Sequence, residues 1–237
     1  MRTVSSLILA LAFLAPLAAT SDGADPIQVG ATFNKMYAPR GFDSNDNVQF
    51  VGEGRFRNTC YRPAPGSLKI DDASKTITVG AVAYEYSGFC LQVILPFQRT
   101  IDVGILKAGA WQVVEDDAAR TKLGEIQIAP ALANTPDDFL YAPIQQAFFQ
   151  QKGKNSSVIL TGQFSSNCLS LESVKVDVQE DVIVVQPIAR MEPFLKCVVT
   201  PVNFEKKVSL GKVKPGRYLL HVRSMNGNAI NSLVNVD

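Results

Sequence analysis

The sequence predicts an all-β protein made of two tandem β-sandwich domains, each holding one disulfide. Three observations predict this fold class: an internal duplication, four cysteines at nearly equal spacing in the two halves, and many short alternating segments separated by turn residues. The chain has 237 residues, which is enough for two domains of ordinary size. We expect the first domain to span residues 25–125 and the second to span residues 126–237.

Residues 1–24 have the pattern of a secretory signal peptide. Arg2 supplies a positive charge, an apolar run follows from Leu7 to Ala19, and small residues come next. The run is short for a transmembrane helix, and no later run reaches about 18 apolar residues. We therefore expect a secreted or periplasmic protein without a transmembrane segment.

The duplication is visible when segments of the two halves are aligned. Matching segments share glycine, aromatic, proline or cysteine positions, and they are 54–60 with 162–168, 104–111 with 211–218, 37–39 with 141–143, and 27–29 with 126–128. The last match places the domain boundary after residue 125. It also makes residues 144–155 the expected counterpart of the segment that begins at Gly41.

The duplication also predicts how the cysteines pair. Nearly the same number of residues separates Cys60 from Cys90 as separates Cys168 from Cys197. If each half folds by itself, its own two cysteines pair. Each bridge would then add about 3–4 kcal/mol in the loop-entropy model, and export would place both in an oxidising compartment.

Alternating or β-branched runs predict the strands of each half. The first half has such runs at 48–56, 76–84 and 90–95, and the second at 182–185. Clusters of proline, glycine, aspartate and asparagine separate the runs. Residues 144–151 (IQQAFFQQ) show a weak tendency to helix. Many short strands at this spacing are typical of a β-sandwich.

Two segments resemble the tyrosine corner of immunoglobulin-like and fibronectin type III domains. Residues 106–111 (LKAGAW) and 213–218 (VKPGRY) follow the pattern apolar-x-x-Gly-x-aromatic. The resemblance implies immunoglobulin-like sandwiches, in which the hydroxyl of the corner residue bonds back to the backbone. Tyr218 fits this pattern. Trp111 has an N–H donor in place of the hydroxyl, so we expect packing to hold the first corner.

Composition and motifs argue against several function classes. A formal net charge of +1 gives no reason to expect nucleic acid as the partner. His221 is the only histidine and falls in an apolar segment, and neither a nucleophile elbow nor a phosphate-binding loop is present. Paired cysteines would leave no His and Cys set for zinc. We therefore expect no enzyme activity and no cofactor, with calcium as the one exception to weigh.

The calcium hypothesis comes from residues 41–48 (GFDSNDNV). Their D-x-N-D-N pattern resembles the linker motif of cadherin repeats, and the resemblance implies that Asp43, Asn45, Asp46 and Asn47 bind calcium. The alternative is a plain polar turn, because Asp and Asn also bond their own backbone in turns. The expected counterpart, residues 144–155, has no carboxylate, which favours the turn.

The leading functional hypothesis is a non-enzymatic binding or structural accessory protein, with another protein or a cell-surface polymer as its partner. The alternative is an exported inhibitor of a protease or other hydrolase, with Arg62 as the anchor on the proline-stiffened segment 61–65; an enzyme is the third. Asn155 begins a glycosylation sequon, which matters in a eukaryotic host. A basic cluster is either a docking patch or a solvated sheet face, and its members are Lys206, Lys207, Lys212, Lys214, Arg217 and Arg223.

Overall fold

The structure is a computed structural model that describes residues 25–132, 137–192 and 196–237. The signal peptide expected at residues 1–24 lies outside these ranges. The described residues form strands and no helix, which confirms the all-β prediction. Among these same residues, no helix is long and apolar enough to cross a membrane.

The first half forms two sheets that face each other. Its strands are β1 (Ile27–Ala31), β2 (Phe33–Tyr37), β3 (Phe42–Asp43), β4 (Asn47–Phe56), β5 (Tyr61–Asp71), β6 (Thr76–Glu85), β7 (Leu95–Ile105), β8 (Gly109–Glu115) and β9 (Lys122–Ala129). One sheet has the order β1-β6-β8-β9-β3, with β5 also paired to β6, and the other has the order β2-β4-β7. Phe50 from one sheet and Trp111 from the other meet in the core between them.

The second half repeats this arrangement with fewer strands. They are β10 (Ile144–Lys152), β11 (Asn155–Phe164), β12 (Leu169–Val178), β13 (Val182–Met191), β14 (Val202–Gly211), β15 (Gly216–Ser224) and β16 (Asn228–Val236). The sheets are β10-β11-β14 and β12-β13-β15-β16. Leu160 and Leu220 meet in the core between them.

The two halves share strand register as well as strand order. The parallel pair β6–β8 aligns Ile77 with Val113, and the parallel pair β13–β15 aligns Ile183 with Leu220 at the matching positions. A stacked phenylalanine pair also recurs, with ring centroids 4.3 Å apart for Phe56 with Phe97 and 4.7 Å apart for Phe164 with Phe204. The sequence duplication is therefore a duplication of structure.

The boundary predicted between residues 125 and 126 falls inside a strand. Ile126 pairs with Trp111, and Ile128 pairs with Gly109, so residues 126–128 complete the first half. The alignment of 27–29 with 126–128 is therefore wrong. It relied on a short alternating motif that any strand can show, and the division between the halves lies after Ala129.

The alignment of residues 37–39 with 141–143 is also wrong. Tyr141 bridges to Ile188 of β13, just as β1 pairs with β6, so Tyr141 corresponds to the β1 region. Residues 144–151 are the strand β10 and not a helix, because they pair along β11. The counterpart of the polar segment 41–47 is then the tight turn at residues 153–154.

Both predicted disulfides are present. Cys60 is bonded to Cys90 and Cys168 to Cys197, with Cα–Cα distances of 5.4 Å and 5.3 Å. One bridge therefore lies in each half, as expected. Disulfides are typical of an oxidising compartment outside the cytoplasm.

The closer resemblance to immunoglobulin and fibronectin type III domains is not shown. In each half the strand that carries the corner aromatic pairs in parallel with a neighbour, whereas immunoglobulin sheets are antiparallel throughout. The hydrogen bond expected at the Tyr218 corner is found instead at the Trp111 corner of the first half. Trp111 donates from Nε1 to the backbone oxygen of Lys107 at 2.8 Å, so packing alone does not hold that corner. The Tyr218 hydroxyl has no hydrogen-bond partner among the described residues.

Candidate functional site: the junction and the Cys60–Cys90 loop

Strand β15 is buried on both faces because it belongs to two cores. Leu220 and Val222 point into the second half's own core. Leu219, which precedes Leu220 and lies on the opposite face of the strand, points outward and packs with Val51 of the first half. The sheet that contains β15 therefore packs against a sheet of the first half.

The junction has a small apolar centre built from both halves. Its buried members are Tyr37, Val51, Val182, Val184 and Leu219. Strand β4 shows the same alternation as β15, since Val48 and Phe50 enter the first core while Gln49 and Val51 face the junction. The molecule is thus a stack of four sheets with three apolar layers.

Three polar contacts fix how the two strands run across the junction. Arg217 pairs with Glu53 at 2.7 Å, and Asn231, which lies opposite His221, donates to Gln49 at 2.9 Å. Arg223 pairs with Asp46 at 3.0 Å. Residue numbers fall along β4 as they rise along β15, so the two strands run in opposite directions.

This antiparallel arrangement separates the two disulfides. Cys60 follows the end of β4, and Cys197 follows the end of β13, which runs parallel to β15. Because β15 and β4 run in opposite directions, the two bridges lie at opposite ends of the stacked strands.

The contact between Arg223 and Asp46 is a buried ion pair. Both residues are buried, and the guanidinium also donates to the backbone oxygen of Gly41 at 2.9 Å and to the Tyr141 hydroxyl at 3.2 Å. The guanidinium carbon Cζ lies 5.2 Å from the ring centroid of Phe42. A buried charge needs such additional partners to offset the loss of water. Arg223 therefore clamps the polar segment 41–47 to the second half.

The residues predicted to bind calcium make hydrogen bonds within and around this clamp. The Asp46 carboxylate faces the Arg223 guanidinium and also accepts from the Asp43 backbone N–H at 3.1 Å. The Asp43 carboxylate accepts from the Asn45 backbone N–H at 3.0 Å. Asn47 turns its amide nitrogen to the Gly227 oxygen at 3.0 Å. The bond from Asn45 to Asp43 is that of an Asx turn, which is the alternative interpretation.

Within the described residues, no three carboxylate, histidine or cysteine side chains are arranged to hold a metal ion. A cation beside Asp46 would also face the positive charge of Arg223. Calcium binding through Asp43, Asn45, Asp46 and Asn47 stays a prediction, and the geometry favours the turn.

Two further carboxylates approach the clamp from the segment between the halves. Burial, followed by the hydrogen bond to Asp46 and its charge, raises the pKa of Asp137 to about 6. Burial and the nearby charge of Asp43 raise the pKa of Asp138. The sequence placed both residues in a turn, and no local pattern shows that this turn meets a segment ninety residues earlier. The contact follows from the docking of the two halves.

His221 is buried at the junction and is not available to a substrate. Burial, opposed by the hydrogen bond to Asn231, lowers the pKa of His221 to about 4. Nδ1 lies 2.7 Å from the Asn231 side-chain oxygen, and the Asn231 amide donates to Gln49 across the junction. Because Asn231 presents its oxygen, Nδ1 carries the proton of the neutral ring. The histidine thus contributes to docking of the halves.

Arg62 lies in a strand and not in a protruding loop. It pairs with Tyr84 of β6, and its guanidinium donates to the backbone oxygens of Thr59 and Tyr61. The prolines of the segment 61–65 are accommodated because β5 is an edge strand. Residues 61–65 are therefore strand and not a protruding loop, and the inhibitor alternative stays a prediction.

The basic cluster divides into two groups. Arg223 is buried in its ion pair with Asp46, whereas Arg217 pairs with Glu53 at the junction but stays exposed. Lys206 and Lys207 lie on the edge strand β14 and are exposed. Burial of Arg223 could not be read from alternation, because the outer face of a strand is solvated unless another sheet covers it.

A loop of the first half exposes an unusual amount of apolar surface. We call residues 86–94 (YSGFCLQVI) the Cys60–Cys90 loop. The exposed fractions are 44% for Tyr86, 91% for Phe89, 56% for Leu91, 49% for Val93 and 67% for Ile94. Contiguous exposed apolar residues are uncommon on soluble proteins and mark interaction sites.

The loop is held in place at its base. Besides the disulfide, Tyr86 donates its N–H to the Cys60 oxygen at 3.0 Å, and Leu91 exchanges bonds with Thr59 through its N–H and its oxygen. Gly88, at φ 127°, supplies a backbone conformation that side chains disfavour. The predicted strand at 90–95 is wrong, because this segment bonds to residues 59–60 and β7 begins at Leu95.

These features define a class of protein: a chain of two stacked β-sandwich halves, each with its own disulfide. The second half is similar to a described family, since residues 158–236 match the model of the ORF11 beta-sandwich domain. The match runs from within β11 to the end of β16 and agrees with the sandwich found there. No curated protein and no solved structure matches the chain.

Proposed function

We propose that the protein is an exported, non-enzymatic binding module that presents the Cys60–Cys90 loop from a rigid support. The observation that carries the proposal is the exposure of the loop's apolar side chains, with Phe89 91% exposed. The free energy falls when a partner covers apolar groups that were exposed to water. Another protein or a cell-surface polymer was the partner expected from the sequence, and it stays a prediction.

The construction of the molecule supports a binding role. The loop is anchored by a disulfide and by backbone bonds, so little conformational entropy is lost when it binds. The junction joins the two halves through an apolar centre and a buried ion pair. His221, the single histidine of the chain, is buried and cannot reach a substrate, which supports a non-enzymatic role.

A photo-crosslinking side chain at position 89 tests the proposal. The matched control carries the same side chain at Phe148 of β10, which is 50% exposed but belongs to a regular sheet face. In the exported protein, we expect adducts to form at position 89 and not at position 148. The same adducts at both positions, or none at position 89, would remove the loop as the binding site.

A further inference from the structure

We propose that the Cys60–Cys90 loop docks on an anionic lipid surface, with its apolar side chains in the membrane interface and the arginines at its base near the lipid phosphates. The proposal rests on the binding role given to the loop above and adds the identity of its partner. Three features carry it: how much of the apolar run is exposed, which charges lie at the base, and how the loop is braced.

Exposed apolar side chains run through the whole loop. Val93 and Ile94 are neighbours in sequence and are both exposed, and Phe89 at the other end of the run is more exposed than either. A protein partner covers only those side chains that face it and leaves the others in water. A lipid interface surrounds an inserted loop, so all of these side chains leave water together.

Positive side chains lie at the base of the loop. Arg62 donates to the oxygen of Thr59, the residue that also bonds Leu91, and Arg57 is exposed nearby on the segment after β4. The carboxylate of Glu85 faces this base, but it accepts from Tyr61 at 2.6 Å and pairs with Arg57 at 3.3 Å.

Two more charged residues complete the base. Arg55 is exposed at the end of β4, and Asp25 precedes β1, whose first residue Ile27 pairs with Glu85. Three arginines therefore face two carboxylates, and the ion pair of Arg57 with Glu85 leaves Arg55 and Arg62 against Asp25. Arginines set behind apolar side chains match a surface that is apolar within and negatively charged at its headgroups.

The bracing places an aromatic residue between these two zones. Tyr86 is bonded to Cys60 at the base and is partly exposed, and tyrosine is enriched at membrane–water interfaces. Because the disulfide orders the loop before contact, insertion does not require the loop to fold on the membrane. The loop is therefore suited to shallow insertion of a preformed tip.

A fluorescent reporter at the tip tests the proposal directly. Trp111 is the chain's single tryptophan and is fully buried, so its emission is a constant background. We expect the Phe89→Trp variant of the full mature protein to shift its emission to the blue with vesicles that contain phosphatidylglycerol. We expect a smaller shift with phosphatidylcholine alone and a reduced shift at high salt. The Phe148→Trp variant is the matched control and should not shift.

Vesicle sedimentation measures how strongly each variant partitions to lipid. Combining Phe89→Ser with Ile94→Ser should lower partitioning by at least about tenfold, whereas Phe148→Ser should leave it unchanged. Combining Arg57→Gln with Arg62→Gln should lower binding to phosphatidylglycerol vesicles by about tenfold, with little effect on phosphatidylcholine vesicles. An unchanged near-ultraviolet signal from Trp111 shows that each variant is folded.

Failure of the lipid proposal is distinguishable from failure of the binding role. No shift of the Phe89→Trp variant, together with a protein adduct from the crosslinker at position 89, overturns the lipid surface and keeps the binding module. An equal shift with soluble polyglutamate would assign the loop to an acidic polymer and also overturn the lipid surface. Neither shift nor adduct would overturn both proposals.

Discussion

The two halves differ most at the connection between the first two strands that they have in common. In the second half, β10 and β11 are joined by the short turn at residues 153–154. In the first half, the equivalent strands β2 and β4 are joined by residues 38–46, which add the short strand β3 and carry Asp46 into contact with Arg223. The duplicated part of each half builds a sandwich, and the part that differs joins the sandwiches.

Among the changes that test this difference between the halves, removal of Arg223 should lower the unfolding free energy most. Arg223→Met leaves the Asp46 carboxylate buried without its partner, which costs about 3–5 kcal/mol in unfolding free energy. Urea denaturation measures the loss. Arg217→Met is the matched control at the more exposed contact with Glu53, where we expect a loss below about 1 kcal/mol.

A compensating pair sharpens the same test. Combining Arg223→Met with Asp46→Leu removes both charges together and should recover most of the lost stability. Equal losses for Arg223→Met and Arg217→Met would show that the buried pair does not hold the junction.

Acid should weaken the junction through His221. Because burial lowers its pKa to about 4, the folded protein takes up this proton at lower pH than the unfolded chain, whose value is near 6.5. The stability from neutral His221 is complete above about pH 6.5 and is lost as the pH falls through 4, by at most about 3 kcal/mol. His221→Gln should flatten that part of the pH profile.

The contribution of Asp137 to stability should change with pH in the direction opposite to that of His221. Its pKa is raised to about 6, so its contribution is complete below about pH 4, the range of an ordinary aspartate, and is lost as the pH rises through 6. Asp137→Asn should therefore raise stability at neutral pH relative to the parent protein. Melting temperatures across this pH range measure both effects, and a profile that is unchanged in both variants would contradict the pKa shifts.

The two corner residues offer a smaller contrast. Trp111→Phe removes the bond to the Lys107 oxygen and part of a buried ring, and should cost about 1–3 kcal/mol. Tyr218→Phe removes a hydroxyl that has no partner among the described residues, and should change stability by less than about 0.5 kcal/mol. A larger loss for Tyr218→Phe would reverse the assignment of the corner bond.

The smallest expected effect is that of calcium. Because Asp46 already faces Arg223, we expect the same melting temperature in millimolar calcium and in excess chelator. A rise with calcium that disappears in Asp43→Asn would instead establish the site predicted from residues 41–48.

Local patterns were sufficient for the sandwiches and insufficient for their docking. Alternation and repeated cysteines predicted the strands and the pairing of Cys60 with Cys90, because both depend on contacts within one half. Short motifs misled the alignment at residues 126–128, where alternation is common to all strands. The pairing of Asp46 with Arg223 joins residues 177 positions apart, and an outward-facing arginine has the same pattern whether water or another sheet covers it.

The strand prediction at residues 90–95 failed for a related reason. The run from Cys90 to Leu95 is apolar, and an apolar run normally indicates a buried strand. Here the disulfide diverts the segment to residues 59–60 and leaves its side chains in water. Exposure of such a run is a property of the tertiary fold and cannot be read from its composition.

The opposed strands at the junction have a consequence for how the molecule can stand. The Cys60–Cys90 loop lies at one end of the stack, while Val198 and Val199 are exposed beside the Cys168–Cys197 bridge at the other end. One flat surface cannot meet both ends of a rigid stack. A molecule held by its first loop would stand with its strands upright, and the Cys168–Cys197 end would be directed away from the surface at a distance set by the length of the strands.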